Sequence, residues 1–121
     1  MKRILLAEDE EILRMLIVDT LEDDGYEIDE ASDGLEALQY ISDNDYDLVL
    51  IDYMMPGLTG LEVIEKVRSL PTKQHVKIMM LTAKSQQKDE ERAKLAGANY
   101  FLAKPFSPVK LAELVGEILH V

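Results

Sequence analysis

The chain has 121 residues, 47% of them apolar, a length and composition that fit one compact domain with a sizeable core. Its 13 lysines and arginines against 24 aspartates and glutamates leave a net charge of −11, which repels nucleic-acid phosphates and anionic headgroups and argues against direct DNA or membrane binding. The lack of cysteine excludes a disulfide framework, a thiolate nucleophile and a Cys-based metal site, and no apolar run approaches the roughly 20 residues that span a bilayer, so a cytoplasmic location is expected.

Met1-Lys2-Arg3 leads into a short apolar run, Ile4 to Ala7, the first of five that alternate with longer stretches of helical period. Ile12, Leu16 and Thr20 with Leu13, Ile17 and Leu21 form the first helical stripe, which stops at Gly25, a residue suited to a left-handed helix end. Tyr26 to Glu30 alternates like an edge strand; Leu35, Leu38 and Ile41 mark a second helix. Leu48 to Ile51 and Val76 to Leu81 are almost unbroken apolar runs, as strands buried on both faces are, with a third helix between them on Leu61, Ile64 and Val67. The stretch Lys88 to Ala96 offers only Ala93, Leu95 and Ala96 as apolar anchors, which makes it a weakly held helix and a candidate moving part. Tyr100 to Ala103 is the fifth strand, and Leu111, Leu114, Val115 and Ile118 form the clearest amphipathic helix. This βα alternation predicts an α/β fold, a doubly wound parallel five-stranded sheet, with residues 1–121 as one domain.

In open parallel sheets, ligands bind beyond the carboxyl ends of the strands, so the residues closing each run matter most. They are Glu8 and Asp9, Asp52, Thr82 and Lys104. Singly each has an ordinary reading. Acids from Glu8 to Glu11 suit a helix N-terminus, Asp52 suits a strand-end turn, and a strand-end hydroxyl and a solvated lysine are commonplace. An ionised carboxylate behind four apolar residues nonetheless needs a compensating charge. If the first and third strands are neighbours, three carboxylates meet, and a hard dication such as magnesium relieves their repulsion while leaving positions for water or phosphate. With that dication and Lys104 the charges balance, and the set contains a carboxylate nucleophile, a cation and a hydroxyl donor, which suffices for phosphoryl transfer.

The pieces Glu8-Asp9, Asp52-Tyr53-Met54-Met55-Pro56 running on to Gly60, Thr82-Ala83 and Phe101-Leu102-Ala103-Lys104-Pro105-Phe106 give the chain a resemblance, along essentially its whole length, to the receiver domains of bacterial two-component response regulators. The resemblance implies a flavodoxin-like (βα)5 fold with strand order 2-1-3-4-5. It implies that Asp52 is the phosphoacceptor for a histidine kinase or phosphotransfer protein, and that Asp9, Asp52 and the backbone carbonyl of Met54 hold Mg2+, with Glu8 acting through metal-bound water. Thr82, Lys104 and the Ala83 backbone would contact phosphoryl oxygens, Thr82 and Phe101 would form the switch, and the Lys104–Pro105 bond would be cis. Output would run through the face of the fourth helix, fifth strand and fifth helix to a downstream protein, an attached output domain or a homodimer.

Glu8 stands where the family more commonly has Asp, a longer arm that alters the water shell. Met54 and Lys84 occupy positions from which the family tunes loss of the phosphoryl group; methionine hydrogen-bonds an attacking water poorly, so slow self-dephosphorylation is expected. An aspartate-nucleophile phosphatase would need a second aspartate where Met54 stands. A nucleotide or flavin module would need a Gly- or Ser/Thr-rich first turn, where this chain has Ala7-Glu8-Asp9-Glu10-Glu11. His75 and His120 lack paired spacing and read as surface residues, and Met54, Met55, Met79 and Met80 read as core filler.

Overall fold

The computed structural model describes residues 1–83 and 87–120, with side chains at 1–82 and 88–120. The elements run in chain order β1 (Arg3–Ala7), α1 (Glu11–Asp23), β2 (Glu27–Ala31), α2 (Gly34–Asp43), β3 (Leu48–Asp52), α3 (Gly60–Arg68), a 3-10 turn (Pro71–Lys73), β4 (Ile78–Ala83), α4 (Gln87–Ala96), β5 (Tyr100–Lys104) and α5 (Pro108–Leu119). The strands form one parallel sheet in the order β2-β1-β3-β4-β5. β2 lies at an edge, as its alternating pattern predicts.

Strand residues alternate between two cores, which is why β1, β3 and β4 read as unbroken apolar runs. Leu5, Val49, Ile51, Ile78 and Met80 face one side, where Ala37 and Ile41 of α2, Val63, Ile64 and Val67 of α3, and Ala93 of α4 close the core. Ile4, Leu6, Leu48, Leu50, Met79 and Leu81 face the other, against Ile17 and Leu21 of α1 and Leu111, Val115 and Ile118 of α5. Ends are marked by the expected chemistry. Asp33 caps α2, Thr59 and Glu62 form a reciprocal box at α3, Ser107 caps α5 with Pro108 at its first position, and Gly25 leaves α1 at φ +88°.

Three expectations change. In α1, Ile17 and Leu21 are buried and Leu13 packs against the core, whereas Ile12 is 79% exposed and Leu16 also reaches solvent. Both halves of the stripe share helical spacing, and only the half tilted onto the sheet is covered. Leu35 of α2 and Leu95 of α4 are likewise exposed, leaving Ala93 as the buried residue among the described side chains of α4. The fourth strand starts at Ile78 and not at Val76, and it runs past the apolar stretch because Thr82 and Ala83 continue the ladder with Ala103 and Lys104.

Candidate functional site

The parallel register brings the carboxyl ends of β1, β3, β4 and β5 together, since Ala7 lies beside Ile51, Asp52 beside Leu81, and Ala83 beside Lys104. Asp52 is therefore the last residue of β3, and Glu8 and Asp9 follow β1 directly. One carboxylate oxygen from each of Glu8, Asp9 and Asp52 lies within 4.8 Å of the others. Glu8 and Asp52 are buried and Asp9 is exposed.

Lys104 closes the cluster. Its Nζ stands 2.7 Å from Glu8 Oε1 and 3.0 Å from Asp52 Oδ1, one ammonium between two carboxylates. Burial pushes the Glu8 carboxyl above its usual value; the bond from Lys104 pulls it down and the neighbouring Asp52 pushes it up again. For Lys104, burial acts downward, but the bonds to Glu8 and Asp52 and their charges outweigh it, so its ammonium is held above the ordinary lysine range.

Glu8 is no helix-start residue, since it precedes α1 with no solvent exposure, and the actual N-cap, Glu10, makes no side-chain capping bond. Two backbone-directed bonds hold it in place: Glu10 N donates to Glu8 Oε2 at 3.3 Å, and Arg14 Nη1 donates to the Glu8 carbonyl at 2.8 Å while its Nε pairs with Glu30. Sequence reasoning passed over Arg14, because nothing in its spacing from Glu8 marks a side chain that reaches back over the N-terminus of its own helix. The β3–α3 loop is pinned by close approaches. Gly60 N donates to Tyr53 O at 2.9 Å, and a Cβ at Gly60 would run into the Asp52 carbonyl; a Cβ at Gly34 would likewise strike Leu58.

Thr82 is buried at the end of β4, in register with Ala103, and the Lys104–Pro105 peptide is cis. Phe101 is partly buried on β5, packed against the core cluster that holds Met80 and Ala93. Met54 differs from the other central methionines: Met55, Met79 and Met80 are buried as expected, whereas Met54 is 63% exposed on the loop after Asp52. Lys84 lies outside the described residues.

Three carboxylates offering hard oxygen donors, two of them already gathered around a cation, fit a hard dication; the donor set matches magnesium and holds no soft ligand. Among the described residues, no helix is long and apolar enough to cross a membrane.

The family model for the response regulator receiver domain matches residues 4–116. The transcriptional regulatory protein ResD of Bacillus subtilis is 38% identical over 98% of this chain, which covers 48% of that protein. Chemotaxis protein CheY-3 of Vibrio cholerae is 32% identical, with 98% of this chain and 92% of that one matched. Among solved structures, the receiver domain of a sensor histidine kinase from Pseudomonas aeruginosa PAO1, with a magnesium ion coordinated in its active site cleft, has a TM-score of 0.90 at 31% identity, covering 99% of this chain and 98% of that one. The chain spans about half the length of the first curated relatives it matches, 46% and 48%.

Proposed function

Since the chain belongs to the response regulator receiver domain family of two-component systems, we propose that Asp52 is its phosphoacceptor and that residues 1–121 act as one phosphorylation switch. The observation that carries this reading is the meeting of Asp52 with Glu8, Asp9 and Lys104 at the carboxyl edge of the sheet. The donor is the phosphohistidine of a histidine kinase or phosphotransfer protein. An Asp52 carboxylate oxygen attacks phosphorus, the N–P bond breaks, and the imidazole leaves with the electron pair and takes up a proton.

Asp9, Asp52 and the Met54 carbonyl would hold Mg2+, with Glu8 behind them. Bound there, the ion would supply charge neutralisation to the phosphoryl oxygens. Lys104 already sits against Asp52 and moves onto a phosphoryl oxygen as the group arrives, while Thr82 and the Ala83 backbone supply hydrogen bonds. Drawing Thr82 toward Asp52 frees space for Phe101 to turn inward, and the face of α4, β5 and α5 changes between two pre-existing states. Its reader is a downstream protein, an attached output domain or a second copy, in the cytoplasm.

Acetyl phosphate with magnesium, followed by weighing the intact chain, tests the phosphoacceptor. One phosphoryl mass is expected on the wild type and none on Asp52→Asn or in excess chelator; uptake by Asp52→Asn at the wild-type rate overturns it. Thr82→Ala should take up the group yet lose its effect on partner binding. A fully retained effect would remove Thr82 from the relay.

A further inference from the structure

Helix α4 is fastened unevenly along its length. Lys88, Glu90, Glu91 and Arg92 are exposed, Ala93 is the first buried side chain among those described, and Leu95 is 89% exposed. The exit of the helix, by contrast, is closed by a left-handed glycine cap. Gly97 has φ +120°, its N–H donates to the Ala93 and Lys94 carbonyls, and Ala98 N donates to the Ala93 carbonyl at 2.9 Å.

That cap is bolted to the rest of the molecule by one side chain at the end of α3. Arg68 donates from Nε and Nη2 to the Gly97 carbonyl at 3.1 and 2.9 Å, and from Nη2 to Asn99 Oδ1 at 2.9 Å. Its Nη1 donates to the carbonyls of Lys73 and Gln74 at 3.3 and 3.0 Å. Asn99 in turn clasps the start of β4, accepting from Ile78 N at 2.8 Å and donating its own N–H to the Ile78 carbonyl at 2.9 Å. A Cβ on Gly97 would lie 2.7 Å from Arg68 Cγ, so glycine is needed there for close approach as well as for its backbone angle. A single planar guanidinium thus joins the C-terminal end of α3, the 3-10 turn and the exit of α4, and reaches the start of β4 through Asn99.

Ile78 pairs with Val49, whereas Leu81 pairs with Asp52, so this joint sits at the end of the sheet away from the carboxylate cluster. The entry of α4 follows the other end of β4, beyond Thr82. We propose that Arg68 is a positioning residue that makes α4 a lever pinned at its C-terminal end, so that its residues 88–92 swing furthest when the helix tilts. A helix of 10 residues is about 15 Å long, so a tilt of about 10° about the joint displaces its entry by about 2–3 Å while its exit stays put. An open groove of about 610 Å³ runs between α3 and the C-terminal half of α4, with Arg68 itself in its lining beside Leu61, Arg92, Leu95 and Ala96. The trigger rests on the reading of Asp52 as phosphoacceptor; the joint itself does not.

Amide hydrogen exchange on the full chain, read residue by residue, tests the lever. In the unphosphorylated wild type, the amides of Gly97 and Ala98 should exchange more slowly than those of Glu91 to Ala93. Arg68→Met should speed exchange at Gly97 and Ala98 about tenfold or more while Glu91 to Ala93 change by less than about twofold. Arg68→Lys, which keeps the charge without the fork, should give the same local loss with a smaller drop in melting temperature. Adding acetyl phosphate and magnesium to the wild type should alter exchange at Glu91 to Ala93 and leave Gly97 and Ala98 within about twofold. Equal changes at both ends, or unchanged Gly97 and Ala98 protection in both Arg68 variants, would overturn the lever. Should intact mass show no phosphoryl uptake, the phosphoacceptor reading falls instead, and the Arg68 comparison without phosphorylation still decides the joint.

Discussion

Asp9 differs from its two partners in the acidic cluster by being exposed, and no ion pair or hydrogen bond to its side chain appears among the described residues. Glu8 and Asp52 share the Lys104 ammonium, so without a metal Asp9 adds mainly repulsion. Replacing Asp9 with Asn should therefore stabilise the metal-free chain by on the order of 1 kcal/mol, a rise of a few degrees in melting temperature in chelator. The same change should abolish the further stabilisation that magnesium gives the wild type, which a thermal melt with and without the ion checks. Met54 makes a second residue-scale case. Its exposed thioether follows Asp52 by two positions and offers an attacking water no good hydrogen bond. Met54→Asn should shorten the phosphoryl lifetime by about tenfold, equivalent to about 1.4 kcal/mol of barrier, as measured by phosphate release from the labelled chain. An unchanged lifetime would remove Met54 from the chemistry.

At the scale of elements, the β3–α3 connection has to turn sharply so that Asp52 ends a strand and α3 begins almost against it. Gly60 makes that possible by lacking a Cβ, and Thr59 with Glu62 fixes the start of the helix. Gly60→Ala should cost about 1–3 kcal/mol in denaturant unfolding, as overpacking does, because the atom in the way is the Asp52 backbone and not a flexible side chain. It should also slow phosphorylation by acetyl phosphate, since the carboxylate shifts with its backbone; a destabilised variant with the wild-type rate would mean that the close approach serves stability alone. The apolar helical stripes were legible as stripes in the sequence. The side of each that meets the sheet was not, because Ile12 and Ile17, or Leu95 and Ala93, differ only in how the helix is tilted when it docks.

Over the whole molecule, the end of the sheet away from Asp52 carries a separate polar network with its own pH dependence. Tyr46 is buried, its hydroxyl donates to Asp29 Oδ2 at 2.7 Å, and Arg3 reaches the same oxygen at 3.0 Å while lying over the Tyr46 ring. Burial, and then the bond to Asp29 and its charge, raise the Tyr46 pKa above the ordinary value of about 10. Burial and then Asp24 raise that of Tyr26. The folded chain binds these protons more tightly than the unfolded one. Their stabilisation is therefore complete below about pH 10 and is lost as pH rises through the folded values. The denaturant midpoint should fall between about pH 9 and about pH 11, and fall less in Tyr46→Phe, with Tyr26 accounting for part of the remainder. An identical slope in both chains would mean that another group governs the alkaline limb.

The sequence by itself determined the five strands, the buried character of β1, β3 and β4 and the edge character of β2, and which residues stand at the strand ends, whereas the edge position of β5 came from the assembled sheet. A strand covered on both faces must be apolar throughout, and the breaks in that run, Glu8, Asp52 and Thr82, stand out without any coordinates. Only the tertiary structure decided which of the acids lost contact with water, that Lys104 lies between Glu8 and Asp52, that Arg14 holds the Glu8 carbonyl, and that Arg68 closes the far end of α4. Those contacts join residues far apart in the chain or turned back along a helix, and long flexible side chains carry no periodic signature of the partner they meet once the sheet is assembled.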